Sequence, residues 1–173
     1  GDMHGLNTLE HQPIKVAAME GHWREGEPGA GVPLVLFAIP DQQAERNDYA
    51  IEIPRVTSLI LTHSMDGTIA PLTSVPADER PPVAPVFYAF RVMVAIGTAM
   101  LALVLLSAFA WWRGWLFDPQ RKTGRGLLRG WQTMTLSGFV AILAGWYVTE
   151  IGRQPYTVYG LLRTAESNSA VSG

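Results

Sequence analysis

The stretch "RVMVAIGTAMLALVLLSAFAWW", residues 91–112, decides the fold. After Arg91, 21 consecutive residues from Val92 to Trp112 carry no charge. As a helix this run is about 30 Å long, the thickness of a bilayer's hydrocarbon core, and it ends on aromatic residues suited to the membrane boundary. A second uncharged run of 19 residues extends from Trp131 to Thr149. Two such runs so close together predict two membrane-spanning helices rather than buried helices of a soluble domain.

Charge sets the orientation. The formal net charge of −2 argues against a general nucleic-acid binder. Residues 1–87 hold five Lys/Arg against twelve Asp/Glu, whereas residues 113–130 hold five Lys/Arg against Asp118 alone. The positive-inside bias places that short basic loop in the cytoplasm and residues 1–87 outside. The expected organisation is an extracytoplasmic loop region over 1–87, a transmembrane helix over 88–112 and a basic cytoplasmic loop over 113–130. A second transmembrane helix follows over 131–153 and an extracytoplasmic tail over 154–173. With no cysteine, the chain has no disulfide framework, thiolate metal site or cysteine nucleophile.

The first 87 residues are punctuated by Pro and Gly, yet "PLVLFAIP" and "YAIEIP" are too apolar for a disordered tail. An ordered extramembrane region is expected, with a short helix beginning near Pro13 in "IKVAAMEGHW". Residues 49–54 alternate as a short strand does. Polar residues such as Asn168 and Ser169 close the chain, and the whole is expected to be a piece of a longer protein.

Three groups of residues carry candidate chemistry. Arg91 and Met93 open the first span: an arginine there can snorkel to headgroups and a methionine can simply pack. Together they also suit a haem, since a thioether is an axial iron ligand and a guanidinium pairs with propionates. Met93, Gly97 and Met100 share one helical face, where the glycine leaves room for a flat macrocycle. In "AGWYVTEIGRQPY", residues 144–156, Trp146, Glu150 and Arg153 fall within about 60° of helical arc. They read either as an interfacial ion pair ending the span or as a carboxylate serving proton delivery or cofactor electrostatics. In "HQPIKVAAMEGHW", Lys15 and Glu20 are too far apart around a helix to form a salt bridge. They are either part of a solvated surface helix or a base and a cation flanking a quinol-like ligand. His4, His11, His22 and His63 all precede the first span, and the grouping of His4, Glu10 and His11 matches no standard metal spacing.

These three stretches, in this order, resemble subunit I of the cytochrome bd-type quinol oxidases, and the likeness runs through nearly the whole chain. "GDMHGLNTLEHQPIKVAAMEGHW" is similar to the start of that family's quinol-binding loop, "PVFYAFRVMVAIG" to its Met-bearing helix and "GWYVTEIGRQPY" to its Gly-Arg-Gln-Pro stretch. The resemblance implies an all-α membrane protein whose two spans and ordered loop region belong to a larger multi-helix subunit. It implies that Met93 is an axial ligand of the low-spin haem b iron, with Arg91 close to that haem. Lys15 and Glu20 match residues of quinol oxidation, Glu150 an acidic residue near the pair formed by high-spin haem b and haem d, and Trp146 and Arg153 residues beside that pair.

The implied activity is quinol:oxygen oxidoreductase, generating a proton-motive force in the bacterial inner membrane. The fragment alone is expected to be inactive. The implied cofactors are low-spin haem b, high-spin haem b, and haem d or a third haem b. The implied partners are subunit II, membrane quinol, the lipid bilayer and molecular oxygen, with no nucleic acid. Tyr156 stands where the family often has Trp, and the short distance from "AIEIP" to the first span resembles the short-loop, cyanide-insensitive-like branch. No histidine lies in either span, so the opposite haem ligands must come from elsewhere in the parent subunit. Without the resemblance, a haem-free membrane-anchored extracytoplasmic binding module fits the same segments.

Overall fold

The computed structural model describes residues 2–27, 29–118 and 122–167. The polar end at residues 168–173 and Arg121 of the basic loop lie outside the described residues. The chain forms two compact units. One comprises the described residues up to Ala89 together with those from Tyr147 onward; the other is Phe90–Trp146.

In the first unit, α1 (Asp2–His11) leads into α2 (Pro13–Glu20). Pro13 occupies the first turn of α2, where a missing N–H costs no helical bond. Gly21 ends the helix in the left-handed conformation, φ +65°, and the N–H groups of Gly21 and His22 bond back to Ala18 and Ala17 carbonyls. Ile14, Ala17 and Ala18 of α2 pack with Trp23, Leu72, Val83 and Val86 to form the main core. The chain from Leu72 to Thr73 is tied alongside through Leu72 N–H to His22 O (2.9 Å) and Thr73 N–H to Trp23 O (3.1 Å).

An antiparallel hairpin, β1 (Leu34–Asp41) with β2 (Arg46–Ile53), corrects the all-α expectation. The strand expected over 49–54 is the second arm of this hairpin, and "PLVLFAIP" supplies the first. Pro40 is accommodated because neither strand of a two-stranded sheet is flanked on both sides. Asp41 shapes the turn by accepting the N–H groups of Gln43 and Ala44 at 2.9 Å each, and these bonds hold its carboxyl below the usual range. The base of the hairpin is seated by the cluster Val35, Ala38 and Phe87. Beyond it, α3 (Val56–Thr62) contributes the buried Ser58 hydroxyl, which accepts the Val32 N–H and donates to the Gly67 carbonyl. A second small antiparallel pair, β3 (Tyr156–Val158) and β4 (Leu162–Arg163), follows near the end of the chain. Arg163 pairs there with Asp78 at 3.2 Å and Glu79 at 3.3 Å.

The long helix α4 (Val83–Trp112) covers the first expected span and starts five residues before the expected boundary at 88, in the segment that follows Pro82. Among the described residues it is the one helix long and apolar enough to cross a membrane by itself. The second run differs from a single straight span. It is divided into α5 (Lys122–Met134) and α6 (Ser137–Gly152), which together pass as a membrane span but are bent by 42°.

Hydroxyl chemistry explains the break. Thr133, Thr135 and Ser137 donate to the carbonyls of Gly130, Trp131 and Met134, offering local partners that compete with the helical ladder. Residues 122–130, expected as loop, are helical because α5 begins before the uncharged run does. Trp131 Nε1–H donates to Ser107 Oγ at 3.1 Å, and a Cβ on Gly130 would stand 3.0 Å from Leu103, so α5 meets α4 at this point.

Candidate functional site

The short helix α2 carries Lys15 and Glu20, both buried, at 9% and 7% exposure. That burial removes the reading of α2 as a solvated surface helix. As their spacing implies, the two are not partners: Lys15 Nζ donates to Gln12 Oε1 at 3.1 Å. The lysine stem instead lies on Gly152, where a Cβ would stand 3.0 Å from Lys15 Cγ and 3.3 Å from Cε. Burial pushes the Lys15 ammonium below its ordinary range; the Arg153 charge pushes the same way and Glu150 opposes. The structure therefore joins Lys15 to the Glu150–Arg153 stretch, a contact that local spacing gave no means of anticipating.

Glu20 lines a cavity of about 360 Å³ bordered also by His22, Arg24, Glu45, Asn47 and Glu52. Lys15 is not among its lining residues. Burial lowers the His22 imidazole, against the opposing effects of a hydrogen bond to the Ile69 backbone and the Glu25 charge. The wall thus offers a buried carboxylate, an imidazole biased to its neutral form and charges of both signs, a set able to accept protons from a hydroxyl-bearing ring. The hairpin residues Glu45, Asn47 and Glu52 were not legible as cavity residues; of the three only Glu52 falls in the alternating stretch 49–54, and the other two are polar residues just before it.

On α4, Arg91 and Met93 are half-buried. The Arg91 guanidinium stands 5.4 Å from the Phe90 ring centroid. A Cβ on Gly145 would lie 3.3 Å from Met93 Sδ, so that glycine keeps a cradle open beside the sulfur. Gly97, one turn on, faces open space, with nothing within 4 Å of a Cβ placed there. A soft axial donor beside an open, glycine-cleared helix face fits one side of a haem. Among the described residues no group of three or more His, Cys, Asp or Glu is placed to hold a metal ion.

At the end of α6, Arg153 and Glu150 form a direct ion pair. The helix stops at Gly152, so Arg153 sits in the turn beyond it rather than on a continued helical stripe. Arg153 Nε is buried without a hydrogen-bond partner among the described residues, which leaves a donor suited to an anionic oxygen such as a propionate. Trp146 is 70% exposed on α6. Tyr156 packs edge-on to Tyr159 at 5.5 Å and carries Arg163 over its ring at 5.9 Å.

All of residues 1–173 match the family model for cytochrome bd terminal oxidase subunit I. Cytochrome bd ubiquinol oxidase subunit 1 of Bacillus subtilis (strain 168) is 34% identical over 182 residues, which cover 98% of this chain and 36% of that protein. Cytochrome bd-II ubiquinol oxidase subunit 1 of Escherichia coli (strain K12) is 27% identical over 237 residues, covering 99% of this chain and 45% of that one. The solved structure of the bd oxidase from Geobacillus thermodenitrificans matches with a TM-score of 0.71 and 33% identity, over 99% of this chain and 38% of its own. This chain therefore spans less than half the length of each of these relatives.

Proposed function

Because the chain belongs to the cytochrome bd terminal oxidase subunit I family, we propose that it is the quinol-loop and haem-bearing part of a subunit that oxidises membrane quinol and reduces oxygen to water. The parent subunit works with subunit II in the bacterial cytoplasmic membrane and generates a proton-motive force. The observation that carries this reading is Glu20, a carboxylate 7% exposed on the wall of a cavity of about 360 Å³. Burying a carboxylate is costly, and a base for a proton-releasing substrate explains its place at a cavity wall.

In this mechanism each quinol gives up two protons and two electrons, and two quinols are consumed for each oxygen reduced to two waters. Glu20 accepts a proton from a quinol hydroxyl. Lys15, partly desolvated but not on the cavity wall, favours the resulting oxyanion only through space by its positive charge. The haems, when bound, supply one-electron transfer and oxygen chemistry. Toward the low-spin haem b, Met93 would provide a thioether donor and Arg91 a cation for a propionate. Toward the high-spin haem b and its neighbour, haem d or a third haem b, Arg153 offers its free Nε–H. Glu150 supplies a charged site on a proton path, and Trp146 an aromatic face.

The two spans of this reading are α4 and the bent α5–α6 pair, with residues 113–130 facing the cytoplasm and residues 1–87 outside. The alignment to the Escherichia coli relative runs over 237 positions against the 173 residues here, which requires inserted residues in that relative and supports a short-loop branch for this chain. Reporter fusions at Gly67 and Gly124 check the topology: the expected result is an external signal at Gly67 and a cytoplasmic one at Gly124. Cytoplasmic labelling at Gly67 overturns the orientation.

The activity is tested on the full-length subunit purified with its partner. The expected results are haem absorption bands and oxygen uptake driven by ubiquinol or menaquinol. A haem-free preparation that binds membranes but consumes no oxygen overturns the proposal in favour of a binding module.

A further inference from the structure

Asn47 of β2 stands opposite Pro40 in the hairpin and reaches back to the end of α2. Its Nδ2–H donates to the Gly21 carbonyl at 2.8 Å, and its Oδ1 accepts the Trp23 indole N–H at 2.9 Å. An indole only donates and a backbone carbonyl only accepts, so the two partners fix the orientation of the amide without ambiguity. One side chain thus holds the residues on either side of His22, immediately after Glu20.

Gly21 matches this arrangement. Its positive φ turns the chain off the helix, and a Cβ there would stand 3.3 Å from Asn47 Nδ2 and 3.2 Å from Phe87. Upstream, α2 is anchored by Ile14, Ala17 and Ala18 in the main core, and the turn after Glu20 is closed by the Gly21 and His22 N–H groups on the Ala18 and Ala17 carbonyls. Of the hydrogen bonds to this turn, those of Asn47 come from the hairpin. The hairpin has its own fastenings away from Asn47. Arg80 pairs with Glu45 at 2.6 Å, the Val83 N–H donates to Gln42 Oε1 at 3.2 Å, and Tyr88 donates to the Ala38 carbonyl at 3.0 Å. Hairpin and helix are therefore each held independently, and the Asn47 amide couples them where the cavity wall carries Glu20, His22 and Asn47.

We propose that Asn47 is a positioning residue for quinol oxidation: its two hydrogen bonds clip the hairpin to the turn after α2 and so hold the Glu20 carboxylate at the cavity wall. This rests on the quinol reading of that cavity. The residue touches the backbone that carries the base and acts on substrate through Glu20.

The test uses the complete enzyme and quinol oxidation at fixed oxygen. Asn47→Ala removes both bonds and is expected to lower kcat/KM for quinol by roughly ten- to a hundredfold, the effect of a misplaced catalytic group, with haem content and spectra unchanged. Asn47→Asp keeps the acceptor for Trp23 but sets a carboxylate against the Gly21 carbonyl. It is expected to show the same loss with Trp23 still buried by fluorescence, which serves if the alanine variant does not assemble. On a Glu20→Gln background, Asn47→Ala is expected to cost no further turnover, because the group it positions has gone. Wild-type turnover in both Asn47 variants, or an equal fold-loss on the two backgrounds, overturns the positioning role. Wild-type turnover in Glu20→Gln alone overturns the quinol reading instead, so the two failures are distinguishable.

Discussion

Met93→Leu in the full-length subunit is expected to abolish the low-spin haem b signal while the protein still assembles. Leucine keeps most of the apolar volume of methionine, and such swaps cost less than about 1.5 kcal/mol of stability. Gly145 carries no Cβ beside the sulfur, which leaves that side of the site clear of a side chain. What leucine lacks is a lone pair for iron. Absorption and electron paramagnetic resonance spectra of the variant should show low-spin haem lost or converted to high-spin, or its potential lowered. A variant with the wild-type spectrum and potential would return Met93 to a packing role on α4.

Glu20→Gln is the second large effect. The substitution preserves shape and hydrogen-bonding capacity but removes the base, so quinol turnover should fall by at least about a hundredfold, the lower end of what positioned general bases contribute. Haem content should stay at the wild-type level, since no proposed iron ligand changes. Steady-state oxygen uptake beside a reduced-minus-oxidised spectrum of the same sample separates the two quantities. Unimpaired turnover would make the buried carboxylate a structural element of the α2 terminus. Loss of all haem would show that Glu20 serves assembly rather than substrate.

Local signals in the sequence were followed closely by local structure. Pro13 and Gly21 bracket α2 because one cannot use an N–H at a helix start and the other tolerates a positive φ at its end. The uncharged run from Val92 became the body of α4, because charge and apolar length are properties of the run itself. The break at Thr135–Leu136 was not legible in the same way: threonine and serine are uncharged, so an uninterrupted neutral stretch says nothing about hydroxyls bonding back to carbonyls. The hairpin was half legible, its second arm by alternation, while its pairing with "PLVLFAIP" depends on a register that short strands do not declare. Least legible were the contacts between distant segments. Nothing near Asn47 announces that its amide will meet Gly21 and Trp23, and nothing near Lys15 announces Gly152.

That last contact bears on how mutants of this family member are to be scored. The Gly-Arg-Gln-Pro stretch resembles a haem-side stretch of the family, yet its glycine is the floor under the stem of Lys15 and its arginine repels that lysine's charge. Under the proposed function, a lesion at Gly152 or Arg153 is expected to carry two signatures, one optical and one in substrate affinity. A screen that records only spectra files such variants under the wrong defect, and one that records only growth cannot separate them. Pairing each with a change at Lys15 sorts the two contributions, because only the affinity component disappears when the lysine stem is gone.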